Sequence, residues 1–352
     1  MATATIGGER WLIQAQRGAE RDIDAGLRVV VNRIRNALLQ LSGGEDRPIP
    51  LRLKNTLLIQ AGEYVSRYFV GEDGRSAYRG VQPLSPYATA LNKWLEWVQV
   101  KTVGSHQAFM LRVLASEPDI LRWLASAPEQ SQLPVQEVFR PNPLAEYEPA
   151  HTWVDPNGYR LSDRIWRVST RTRDKIDAIL TEGIREGKGS LEIAKSVERF
   201  LLPSRAPLRT KKPYGTDASF DAMRLARTEI ARAQAQASLA AANTNPFVTG
   251  MDFALSASHP RVDICDKLAT IGMDGERLKE PYPKEESPIP IKDTHPLCLC
   301  NLRPSVAQSI PQVIEQLRTE MRNRLIPPPN PVAFAALLRS MLGQLWSGLT
   351  GG

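Results

Sequence analysis

Apolar residues recur at the α-helical period through most of this chain, and the longest stretch without that period runs from Asn245-Pro246 to about residue 304. Such a sequence has to bury helix faces against other helices, and it needs a different kind of structure across the gap. Ile23, Leu27, Val31, Ile34 and Leu38 make one face of a first helix. A second helix is expected within 51–69, and a third from Pro86, carrying Leu91, Trp94, Leu95 and Val98. Pro134, Pro141, Pro143, Pro149 and the turn Asp155-Pro156-Asn157-Gly158 then mark a connector.

Helical patterning resumes at Ser162, a candidate N-cap, and runs through Ile165, Trp166, Ile176, Ile179 and Leu180 to Gly187-Lys188-Gly189. Ser190 is expected to cap the next helix, and an Ala-rich helix is expected over 218–242. Phe247 to Leu255 is patterned as a strand leading into a loop-rich segment. Two closing helices, near 306–325 and 331–347, flank the stiff link Pro327-Pro328-Pro329-Asn330-Pro331. The expected fold is mainly α: a helical N-terminal region over 1–130, a Pro-rich connector over 131–160, an α+β loop-rich lobe within 161–304 and projecting C-terminal helices over 305–352.

Charge narrows the partners. With 45 Lys plus Arg against 38 Asp plus Glu, the chain carries +7, and between 204 and 232 seven basic residues face three acidic ones. Arg205, Arg209, Lys211 and Lys212 lie in a loop of that stretch. They are candidates for contact with a phosphate backbone, the alternative being a solvated connector. No apolar run is long enough for a membrane span, and the first residues do not read as a secretory leader. Three cysteines are too few for a disulfide scaffold, so a reducing compartment is expected during assembly.

All three cysteines and two of the four histidines fall between 259 and 300. His259, Cys265, His295, Cys298 and Cys300 offer the thiolates and imidazoles that zinc prefers, and a tetrahedral structural site needs four of them. The spacing is H-x5-C followed by H-x2-C-x-C, which is a weaker chelate pattern than C-x2-C. A disulfide from Cys265 to Cys298 or Cys300, or plain burial of the thiols, are the alternatives.

Arg227-Thr228-Glu229 on a helix, then His259-Pro260-Arg261-Val262-Asp263-Ile264-Cys265-Asp266, then His295-Pro296-Leu297-Cys298-Leu299-Cys300, in that order, resembles the phage Mu F-like head-morphogenesis family. The resemblance covers about 160–304 and includes Leu161-Ser162-Asp163-Arg164-Ile165-Trp166. It departs from the family in lacking a second cysteine near Cys265. It implies a minor capsid protein without enzymatic activity, present at the portal vertex in the virion head and in the host cytoplasm during assembly. The implied partners are the portal protein, other head proteins and packaged double-stranded DNA.

Domains of this kind also occur fused to toxins, so a virion-delivered effector enzyme is the rival reading, and a general DNA-binding protein a third. Glu229 with His259 or His295 offers a general base pair. The chain, however, has no H-E-x-x-H, no G-x-S-x-G and no P-loop. Glu229 is more simply expected in a solvated pair with Arg232 on its own helix.

In the last segment Asn330 can cap, Pro331 suits the first helical position, and Phe334, Leu337, Leu338, Met341, Leu342 and Leu345 form an apolar stripe. Phe334, Leu338, Leu342 and Leu345 are the expected anchors for docking on the portal or a neighbouring head protein. The alternative is that the stripe is a core face of the chain's own domain.

Overall fold

The computed structural model describes residues 9–72, 76–79, 82–115, 117–120, 154, 158–202, 218–256, 262–270, 281–290, 292–294, 298, 300–306 and 310–323. The fold is mainly α. Its larger helices are α1 (Glu9–Leu41), α2 (Lys54–Phe69), α3 (Pro86–Leu114), α4 (Leu161–Arg185), α5 (Ser190–Leu201) and α6 (Ala218–Thr244). Two strands of two residues each, β1 (Tyr78–Arg79) and β2 (Gln82–Pro83), pair antiparallel between α2 and α3, and after α6 come strand β3 (Val248–Ala254), the short helix α7 (Ile264–Thr270), strand β4 (Asn301–Val306) and helix α8 (Ile310–Asn323). The chain forms two compact units, one of residues 15–95 and 148–229, the other of 1–14, 96–147 and 230–352.

In the first unit the apolar stripe of α1 is fully buried at Ile23, Leu27, Ile34 and Leu38, as its period requires. Helix α2 turns Leu57, Ala61 and Val65 inward, and α4 contributes Leu161, Ile165, Ile176 and Leu180. Several close approaches leave no room for a side chain. A Cβ on Gly26 would stand 2.3 Å from the Tyr68 ring, and one on Gly183 would stand 2.7 Å from Ile193. Buried tyrosines spend their hydroxyls on backbone carbonyls: Tyr68 donates to Ile23 at 3.2 Å and Tyr87 to Ala222 at 2.7 Å.

Helix ends differ from the sequence reading. Ser162 lies inside α4, whose N-cap is Arg160, and Asp163 accepts the Arg160 N–H at 2.9 Å. Ser190 is the first residue of α5 rather than its cap, and the carboxylate of Asp46, far away in sequence, accepts the Leu191 N–H at 2.9 Å. Gly187, with φ of +69°, closes α4 in the left-handed conformation that glycine tolerates best.

The second unit is the α+β lobe. β3 and β4 pair antiparallel from Val248 opposite Val306 to Ala254 opposite Asn301, with an irregularity between Val248 and Gly250. β4 lies in a segment patterned as loop, because Arg303 and Pro304 break the apolar alternation. Met251 and Tyr282 exchange backbone hydrogen bonds of 2.9 Å, and a Cβ on Gly250 would stand 2.7 Å from the Tyr282 carbonyl. The core gathers Phe109, Met110, Phe247, Met251, Phe253 and Leu302. The first closing helix does not project: in α8, Ile314 and Leu317 are buried in this core, with Ile310 and Val313 packed against it at helical spacing.

Candidate metal centre

Cys265 enters the lobe's core at the first turn of α7, and its position there is fixed by a reciprocal cap. Asp263 accepts the Cys265 N–H at 2.7 Å, while Asp266 accepts the Asp263 N–H at 2.8 Å. The other end of α7 is tied down by Tyr282, whose hydroxyl donates to the Leu268 carbonyl at 2.7 Å. Cys298 and Cys300 lie two residues apart in the chain that runs into β4, the spacing that puts side chains of an extended segment on one side. The β3–β4 pairing thus carries the two thiols to Cys265 across 33 and 35 residues of sequence.

The three sulfurs lie within 4.8 Å of one another, and all three residues are buried. The Cys265 and Cys298 sulfurs are 3.5 Å apart, and all three are free thiols. A tetrahedral zinc with Zn–S bonds of about 2.3 Å spaces its sulfurs about 3.8 Å apart, so the cluster already has the scale of a metal's coordination sphere. Hydrogen bonds from the Cys265 and Cys300 thiols, with a further one from Thr294, hold Cys298 below the ordinary thiol range. The same hydrogen bond to Cys298 drives Cys265 up. A bound cation makes deprotonation of the thiols favourable. Soft thiolates packed this closely suit zinc, copper(I) or iron–sulfur chemistry. Three buried cysteines thus lie close enough to hold one metal ion.

The remaining sequence candidates, His259 and His295, lie outside the described residues. So do Arg205, Arg209, Lys211 and Lys212 of the basic loop and Phe334, Leu338, Leu342 and Leu345 of the last apolar stripe.

Glu229 is not the solvated residue expected from its helix. It is wholly buried, and both oxygens accept from the guanidinium of Arg164, 65 residues earlier; the second contact is 3.2 Å. Close by, Arg227 is paired with Glu20. Burial demands a partner for the carboxylate, and the partner comes from another helix, which no local spacing encodes. The carboxylate is engaged in this pair.

Sequence reading also passed over His106 in α3, which is completely buried, with neither ring nitrogen hydrogen-bonded among the described residues. Burial, with the charge of Lys284 adding to it, pushes its pKa down to about 3. Lys284 in turn donates to the Asn245 carbonyl at 3.3 Å. No protein-family model, curated protein or solved structure matches the chain.

Proposed function

We propose that the chain is a minor head protein of a tailed phage, of the Mu F-like head-morphogenesis kind, acting at the portal vertex in procapsid assembly and in DNA packaging and ejection. The observation that carries this reading is that its four motif segments meet in two pairs. The Leu161–Trp166 segment supplies Arg164, which grips Glu229 of the Arg227-Thr228-Glu229 segment. The segments ending in Asp266 and Cys300 supply the three clustered thiols. Residues that were linked only by their order along the chain therefore do two definite jobs in the fold, one holding a helix pair and one pinning a lobe.

Zinc belongs to the same reading. Cys265, Cys298 and Cys300 supply three ligands, with His259 or His295 as the fourth, and the ion stiffens a lobe whose sheet has two strands. The partners are the portal protein, other head proteins and packaged double-stranded DNA, and the setting is the virion head, with the host cytoplasm during assembly.

The test is particle composition. Particles assembled with the chain should contain it at low copy number, at the portal vertex in an electron-microscopy reconstruction. Its absence from purified particles would overturn the proposal, and turnover of a host target by the purified chain would establish the effector-enzyme reading instead.

A further inference from the structure

Helix α4 carries Arg160 at its N-cap and then Arg164, Arg167, Arg171 and Lys175. The offsets from Arg160 are those of one helix face, so the five side chains occupy an arc of about 80° and a row about 22 Å long. Arg160, Arg167, Arg171 and Lys175 are exposed. Elsewhere basic groups such as Arg28, Arg35, Lys188, Arg318 and Arg322 rest on carboxylates. Among the described residues, none of the four exposed members of the row has a carboxylate within 4.0 Å. Asp163 and Asp174 border the row, and Asp163 is engaged by the Arg160 N–H.

The row is also held in place. Arg164 is locked onto Glu229, and the Arg167 guanidinium stacks 3.6 Å over the Tyr159 ring, a contact that leaves its N–H groups free to donate.

We infer that this face of α4 binds the phosphate backbone of duplex DNA without reading its bases. The exposed cations Arg167, Arg171 and Lys175, rising about 6 Å per step along the helix, complement a linear polyanion, and each neutralised phosphate releases counterions. A lipid surface fits less well: the apolar face of α4, with Leu161, Ile165, Val168, Ile176 and Leu180, is buried and cannot enter a bilayer. Single strands fit less well too, because the aromatic ring on the row, Tyr159, lies beneath Arg167, and Trp166 points about 100° away round the helix. The inference rests on the head-protein reading in naming duplex DNA as the partner, but it concerns the isolated chain and residues other than Arg205, Arg209, Lys211 and Lys212, so its failure leaves incorporation into particles untouched.

The experiment compares the full chain with the triple variant Arg167→Gln, Arg171→Gln, Lys175→Gln on a short mixed-sequence DNA duplex at several salt concentrations. Arg164 and Arg160 are left alone because they hold the helix. A control, Arg52→Gln, Arg112→Gln, Lys195→Gln, removes the same charge from other exposed positions.

The stripe variant should melt like the parent, bind about tenfold or more weakly, and show a log–log salt slope smaller by about 2.7, while the control keeps nearly the parent slope. Four results overturn the inference: no duplex binding by the parent at low salt; equal losses in control and stripe variants; loss only when Arg205, Arg209, Lys211 and Lys212 are replaced; or unchanged duplex binding with lost binding to phosphatidylserine vesicles. A stripe variant that fails to fold is replaced by the corresponding Arg/Lys exchange, Arg167→Lys, Arg171→Lys, Lys175→Arg. That exchange must keep the parent slope if charge alone is read, and a lost slope in a folded exchange variant also overturns the inference.

Discussion

Acid should destabilise this protein through His106 before its carboxylates matter. In the folded chain the imidazole is neutral, because full burial and the Lys284 charge push its pKa down to about 3. In the unfolded chain it titrates near 6.5. A cationic acid whose folded pKa is depressed binds its proton more readily when unfolded, so its effect is nil above about pH 7 and stability falls as pH drops below 6.5. At pH 5 the difference amounts to about 2 kcal/mol, and at pH 3 to about 4 kcal/mol. The pH 5 figure holds for any folded value below about 4, because the native imidazole is then still essentially unprotonated.

The perturbation is His106→Leu, which removes the proton site and two buried nitrogens that have no hydrogen-bond partner among the described residues. At pH 7 the variant should be as stable as the parent or slightly more so, since an apolar replacement leaves nothing unsatisfied at that position. Urea unfolding followed by far-ultraviolet circular dichroism at pH 7, 6 and 5 measures the difference. The parent should lose about 2 kcal/mol relative to the variant between pH 7 and pH 5. Parallel pH profiles for the two proteins would refute the reasoning, because the imidazole would then titrate equally in both states.

Glu229→Gln leaves the partly buried Arg164 guanidinium without its countercharge and should cost about 3–5 kcal/mol in urea unfolding; the double variant Arg164→Met, Glu229→Leu should cost clearly less, and equal losses would mean that the pair is not the cause. The purified protein should carry about one equivalent of zinc by elemental analysis and melt lower after chelation. Less than about a tenth of an equivalent, with unchanged melting, removes the metal reading. Deleting residues 327–352 should leave a soluble, cooperatively folded chain that is lost from assembled particles; normal incorporation, or failure to fold, makes the Phe334, Leu338, Leu342 and Leu345 stripe a core face instead.

What the sequence determined by itself is what depends on neighbours a few residues away. Ile23, Leu27, Ile34 and Leu38 are buried as their spacing required, because a helix returns to the same face every 3.6 residues whatever it packs against. Pro86 begins α3, after Ser85 as its cap, and the strand expected from Phe247 runs from Val248 to Ala254. The clustering of all three cysteines was legible too, since their chemistry is carried by residue type. The tertiary structure decided the pairings across distance. Asp46 caps α5 from 145 residues away, Arg164 answers the buried charge of Glu229, and β4 brings Cys298 and Cys300 to Cys265. None of these leaves a local signal, because a buried polar group needs only some partner in space and is indifferent to where along the chain that partner lies. His106 is the extreme case: its spacing on α3 is unremarkable, and only the burial of both ring faces makes it a proton-sensitive group.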